Sequence, residues 1–241
     1  MAKTIWVSLF SAFLMSSFGH TFKIMNMNGN TSFESNKTIT DETMRKLLGS
    51  LKLYLEPVQA VPDEGYLYNT SSSFVHAQIN GTKVTDLTDY TIDVAHANMS
   101  QLEFEIGLTF AAVNASGLYN VSADNSLFHL LGNGTFNVNI TKFNLSLKLT
   151  LKLNENKTLE MKDVSSDFNF DNAHVNFDNL GEDAEVSGFL NDFINEFIVD
   201  SMTSLKPNVQ EIVKERLMKM CNFFVMGMTV DQLVDMVNSF A

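Results

Sequence analysis

The most repeated pattern with chemical potential in this chain is asparagine with serine or threonine two positions on. It occurs at Asn30, Asn36, Asn69, Asn80, Asn98, Asn114, Asn120, Asn133, Asn139, Asn144 and Asn156, with no proline between. Each is a formal acceptor for an N-linked glycan on its amide nitrogen. Eleven such sites exceed the roughly four that composition alone supplies when motif hits are treated as chance matches. None follows Asn156, although nine more asparagines do, from Asn169 to Asn238. A glycan is bulky and belongs on the surface. The map therefore predicts an exposed N-terminal part and a covered C-terminal part.

Other reactive side chains form no constellation. His20, His76, His96, His129 and His174 show no metal-ligand spacing such as H-E-x-x-H. There is no G-x-S-x-G elbow for a nucleophilic serine. The Gly132-Asn-Gly134 stretch reads as a turn, since a phosphate loop needs more glycines opening a helix. Glu103 and Glu105 share one face of a strand and read as a solvated surface. The lone Cys221 falls on an apolar helix face, which predicts a buried, inert thiol. No catalytic residue, metal site or cofactor is expected, and the chain reads as no enzyme. A net charge of −12 with two arginines, Arg45 and Arg216, argues against nucleic acid as a partner.

Glycan acceptors require entry to the secretory pathway. Lys3, the apolar run Ile5–Met15 and small residues at Ser17 and Gly19 read as a signal peptide over residues 1–19. The run is too short to span a bilayer, and no later stretch is long and apolar enough. The expectation is a secreted, extracellular chain with an exposed arm over 20–38 and one domain over 39–241.

The elements that must position these residues follow from periodicity. Thr40, Asp41 and Glu42 suit a helix start, with Met44, Leu47, Leu48, Leu51, Tyr54 and Leu55 on one face and Pro57 as the stop. From Ser72 to Phe177 the period is two. Leu102, Phe104, Ile106, Leu108, Phe110 and Ala112 alternate with polar neighbours. Phe143, Leu145, Leu147, Leu149, Leu151 and Leu153 do the same over eleven residues, about 36 Å of strand. Phe136, Val138 and Ile140 have the opposite parity, which predicts a bulge or kink near Thr141 and Lys142. Asn120, Asn139 and Asn144 then lie on the polar face.

After Gly181 the period returns to 3.6. Phe189, Leu190, Phe193, Ile194, Phe197, Ile198, Met202 and Leu205 open one apolar face that continues to Phe224, with Pro207 expected to kink or divide the helix. Asn195 is expected toward the edge of that face or its polar side. Thr229 and Gln232 suit a capping box for a last short helix bearing Val230, Leu233, Val234 and Val237. One-sided strands need a cover. These elements predict an α+β fold: a long, strongly curved antiparallel sheet wrapped around the long C-terminal helix, with a shorter N-terminal helix.

Specific stretches are similar to a known family. Leu145-Ser-Leu-Lys-Leu-Thr-Leu-Lys-Leu and Asn156-Lys-Thr-Leu-Glu-Met resemble late strands of the group-7 mite allergens, which group with takeout and juvenile-hormone-binding proteins of arthropods. The resemblance continues through Asn179-Leu-Gly, Phe189-Leu-Asn-Asp-Phe-Ile-Asn-Glu-Phe and Leu205-Lys-Pro to Val209-Gln-Glu-Ile-Val-Lys-Glu-Arg-Leu, covering residues 40–225. It implies the lipid-binding fold of bactericidal permeability-increasing protein, an apolar cavity for a small hydrophobic ligand, and no catalytic residue. The chain lacks the N-terminal cysteine pair of the hormone carriers, which favours the group-7-like branch. On this reading Leu102, Phe104, Ile106, Leu108, Phe110, Leu145, Leu147, Leu149, Leu151, Phe189, Phe193 and Phe197 line the site. The other reading is an extracellular interaction or coat glycoprotein with a fully packed core. A void of several hundred Å³ favours the carrier.

Overall fold

In the computed structural model, residues 38–240 are described, apart from 54, 61–62, 71–72 and 126–128. The expected signal peptide, nearly all of the arm and the acceptors Asn30 and Asn36 lie outside the described residues.

Helix α1 (Asp41–Leu51) starts at Thr40, whose hydroxyl accepts the Thr43 N–H at 3.2 Å; Asp41 and Glu42 occupy its first turn. Eight strands follow: β1 (Val58–Ala60), β2 (Glu64–Asn69), β3 (Ser73–Thr85), β4 (Tyr90–Asn98), β5 (Glu103–Asn125), β6 (His129–Leu153), β7 (Leu159–Asn169) and β8 (Asn172–Phe177). All pair antiparallel in one open sheet. Helices α2 (Ala184–Val225) and α3 (Val230–Phe240) are the remaining described elements. The fold class expected from the sequence is the one observed.

The sheet is organised by the β5–β6 hairpin, whose strands run 23 and 25 residues. At one end β5 pairs with β4 and β6 with β7; at the other, β5 pairs with β3 and β6 with β8. The change of neighbour falls at the expected kink. Lys142 takes a left-handed φ of +47°, and its ammonium reaches Asp171, in the gap between β7 and β8, at 2.6 Å. The parity change, however, is shared by both strands. Phe104, Ile106, Leu108 and Phe110 are buried on β5 before it and Ala115, Tyr119 and Val121 after it. Pairing holds one register throughout, with Phe110↔Phe143 and Ala112↔Thr141 on either side. Both strands thus exchange faces at the same level, where the sequence suggested a one-strand bulge.

Helix α2 is 42 residues long, about 63 Å at 1.5 Å per residue, and is continuous through Pro207. It lies along the free edges of β7 and β8. An edge strand exposes unpaired N–H and C=O groups, and here amide side chains of the helix bind them. Asn195 Oδ1 accepts the Val175 N–H and its Nδ2 donates to the Val175 carbonyl, both at 2.8 Å. Asn191 does the same to Phe177 at 2.8 and 2.9 Å. Farther along, Gln210 Nε2 donates to the Ser166 carbonyl and Asn222 Oδ1 accepts the Met161 N–H. Asn195, expected toward the edge or the polar side of the apolar face, therefore faces the sheet edge.

This edge-binding face sets the helix's rotation. At about 100° per residue, Asn191, Asn195, Ile198, Met202, Val209 and Val213 share the sheet-facing side. Phe189, Phe193 and Phe197 fall around the helix from it and are 68%, 53% and 45% exposed. Their rings form a row, with centroids 6.4 and 5.0 Å apart.

Candidate apolar binding site

The apolar cavity lies at the β4–β7 end of the sheet. Its floor is Phe104 and Ile106 of β5, Leu147, Leu149 and Leu151 of β6, and Met161 of β7. These side chains share one face because alternate residues of a strand do. Its roof comes from three helices: Met44, Leu48 and Leu51 of α1; Leu217, Met220, Cys221 and Phe224 of α2; and Leu233, Met236 and Val237 of α3. Ile39, Leu47, Val225 and Met228 complete the wall. The volume is about 140 Å³. That is below the several hundred Å³ set by the sequence reading, and near the size of an engineered apolar cavity that stays dry and accepts benzene.

Polar contacts outside the lining hold the helices in place. Tyr90 donates from its hydroxyl to the Leu48 carbonyl at 2.5 Å, and Arg45 donates to the Ile92 carbonyl at 2.6 Å, fixing α1 on β4. Asp41 accepts the Ala97 N–H at 2.9 Å; this bond, then the His96 ring, holds its carboxyl below the usual range. Ser50 donates to the Phe240 carbonyl, tying α1 to α3, while the Leu159 N–H donates to the Met228 carbonyl and ties the α2–α3 turn to β7. The capping box is formed: Thr229 N–H donates to Gln232 Oε1 at 2.9 Å and Gln232 N–H to Thr229 Oγ1 at 3.3 Å. Burial pushes the Cys221 thiol up to about 11, so it meets the cavity as a neutral S–H.

Five of the twelve residues proposed from the sequence line this space: Phe104, Ile106, Leu147, Leu149 and Leu151. Leu108, Phe110 and Leu145 are buried in packed core beyond it, with the Phe110 ring between Tyr90 at 5.4 Å and Phe143 at 6.0 Å. Leu102 is half-buried against that core. Phe189, Phe193 and Phe197 are corrected: they lie outside on α2, because the asparagine amides take the sheet-facing side. The residues missed are those of the helical roof. Their signal was present in the apolar faces of α1 and α3 and in the Met-rich end of α2, but one-dimensional periodicity does not show which helices converge.

A larger hollow of about 280 Å³ lies among polar side chains that include Lys83, Thr85, Asn114, Asn139, His174 and Asn176. There Asn139 Nδ2 donates to Asn114 Oδ1 at 2.5 Å, and Asn114 Nδ2 to Asp86 Oδ2 at 2.6 Å. Among the described acceptors, Asn69, Asn120, Asn133, Asn144 and Asn156 are exposed, Asn80, Asn98, Asn114 and Asn139 are half-buried, and none is buried. Glu103 and Glu105 both pair with Lys148 at 3.1 Å on the polar face. No helix among the described residues is long and apolar enough to cross a membrane.

An open antiparallel sheet covered by one long helix, with an apolar cavity under the helix ends, defines the structural class. The family model of haemolymph juvenile hormone binding protein (JHBP) matches residues 54–235, and the chain belongs to this family. The fold is similar to the crystal structure of Epiphyas postvittana Takeout 1, with a TM-score of 0.51 and 15% identity over 70% of this chain and 80% of that one. Lipopolysaccharide binding protein aligns with a TM-score of 0.39 and 13% identity, over 78% of this chain and 40% of that one. Comparison with curated proteins returns no match.

Proposed function

We propose that this protein is a secreted, N-glycosylated carrier of a small hydrophobic ligand, lipid-like or terpenoid, held between the sheet and the helix ends. The observation that carries the reading is the cavity whose lining is wholly apolar and drawn from β5, β6, β7 and all three described helices. Membership of a family named for binding a hormone in haemolymph supports it. Binding removes apolar surface from water, at about 25 cal/mol per Å² before association costs. Met44, Met161, Met220, Met228 and Met236 supply the adaptability that a cavity of this size requires, since unbranched thioether side chains re-pack readily. A single cysteine, without the N-terminal pair, supports the group-7-like branch over a juvenile hormone carrier.

The expected acceptors of glycans are the eleven asparagines named above; the outward or partly outward placement of the nine described ones supports this. At about 140 Å³ the cavity is smaller than the several hundred Å³ that would set a carrier apart from a coat glycoprotein with a solid core, so the carrier reading is supported by the apolar lining and the family. The test is lipid mass spectrometry of protein secreted from eukaryotic cells, with titration of a fluorescent fatty-acid or terpenoid analogue. A co-purifying lipid and saturable uptake are expected. Absence of saturable uptake of any apolar probe removes the carrier reading.

A further inference from the structure

In an extended strand, residues i and i+2 face the same way. A sequon on a strand therefore points its asparagine and its hydroxyl residue outward together. Ser116, Ser122, Thr135, Thr141 and Ser146, which follow Asn114, Asn120, Asn133, Asn139 and Asn144, obey this and none is buried. The sequon Asn80-Gly81-Thr82 breaks the rule. Asn80 pairs with Leu118 and Lys83 with Ser116, so Gly81 and Thr82 together oppose Gly117. This is a β-bulge with glycine in the left-handed region, φ +58°, and the Gly81 N–H donates to Asp63 Oδ1 at 2.8 Å. The extra residue reverses parity. Ala77 and Ile79 are buried before it, Thr82 and Val84 after it.

Thr82 is consequently 2% exposed, and its hydroxyl has no hydrogen-bond partner among the described residues. Its backbone packs so near Gly117 that a Cβ there would stand 3.1 Å from Thr82 Cα and 2.9 Å from the Phe136 ring. A buried hydroxyl without a partner is destabilising. Valine would fill the same space without that cost. Nothing in the fold uses the hydroxyl, whereas the sequon does.

We propose that Asn80 is N-glycosylated before β3 folds, and that Thr82 is threonine because the glycosylating enzyme reads it on the unfolded chain. The inference rests on the secreted-glycoprotein reading. In the reaction, Asn80 Nδ2 displaces a lipid diphosphate from the anomeric carbon of an activated oligosaccharide. A C–N bond forms, the anomeric C–O bond breaks, and the amide loses one proton. After folding, the half-buried Asn80 still reaches the surface, but Thr82 is shut beneath the sheet, so the window for modification closes.

Site occupancy is measured on protein secreted from eukaryotic cells, by glycosidase release in heavy-oxygen water and peptide mass spectrometry. Wild type is expected to carry glycan at Asn80, and Thr82→Val none. Folded bacterial protein offered to microsomes is expected to stay unmodified at Asn80. The hydroxyl's structural role is isolated in Asn80→Gln, where the glycan is absent in either background. Adding Thr82→Val to Asn80→Gln should raise the unfolding midpoint by about 2 °C or more. Glycan on other asparagines but not Asn80 overturns this inference alone, and so does modification of Asn80 in the folded protein. Glycan on none removes the glycoprotein reading beneath it. A midpoint unchanged or lowered, or loss of secretion, when Thr82→Val is added to Asn80→Gln shows that the hydroxyl serves the fold and overturns the proposal.

Discussion

Leu149 lines the cavity together with Leu147 and Leu151, but those two and Leu145 are buried, while Leu149 retains surface. Tryptophan there has a void to enter. Overpacking a solid core costs about 1–3 kcal/mol, but filling a void costs less. Leu149→Trp is expected to be secreted, to keep its unfolding free energy within about 1 kcal/mol of wild type, and to lose uptake of a fluorescent lipid analogue; an unfolded variant would place the void elsewhere. Phe193 is the converse case. Its ring is more than half exposed, so Phe193→Asp buries no carboxylate and should change stability by no more than about 0.5 kcal/mol in urea unfolding. Loss of secretion would show that the phenylalanine row is covered in the cell.

Among elements, the contact that distinguishes this fold is α2 against the edge of β8. Asn191 and Asn195 each present a donor and an acceptor, the pairing a further strand would offer. Asn195→Asp keeps the acceptor for the Val175 N–H but loses the donor to its carbonyl. It also sets a carboxylate beside that carbonyl. A buried group left unpaired costs about 1–3 kcal/mol. The variant should therefore lose about 1–3 kcal/mol of stability in urea unfolding, with faster hydrogen exchange at the Val175 and Phe177 amides. Wild-type exchange there would show that the edge is held by apolar packing alone. The same contact explains the exposed phenyl rings, since one helix face cannot present both amides and phenyls to the sheet.

On the scale of the whole molecule, the buried Tyr90 and Tyr119 and the half-buried Cys221 are held neutral. Burial pushes Cys221 up to about 11 and Tyr90 to about 12; Tyr119 also reaches about 12 through burial and then the Asp178 charge. A raised acid keeps its proton in the fold after the unfolded chain has lost it, so stability falls as pH rises between the two values. The decline should begin near pH 9, where the unfolded thiol ionises, and steepen above pH 10 as the tyrosines join. Cys221 contributes on the order of 2–3 kcal/mol by pH 11, at about 1.4 kcal/mol per pKa unit. Urea midpoints from pH 8 to 11 should fall, and Cys221→Val should flatten the first part of the slope. A flat wild-type profile would show that the thiol is reached by water. Below pH 9 the thiol should react slowly with alkylating agents in the native state, since the thiolate is the nucleophile.

Alternation along Phe104–Phe110 and Phe143–Leu151 determined which faces are buried, because a strand's side-chain period is fixed by its backbone. The 3.6 period, Thr40, and the Thr229–Gln232 pair likewise determined three helices and two of their starts. These are local properties, legible in one dimension. The parity change at Lys142 was visible too, but not that β5 makes the same change opposite it, which depends on pairing register. The rotation of α2 and the composition of the cavity roof belong to tertiary structure alone. Phe193 and Asn195 lie two positions apart in an apolar run. Only the edge of β8, with open N–H and C=O groups at Val175 and Phe177, decides that the amide turns inward and the ring outward.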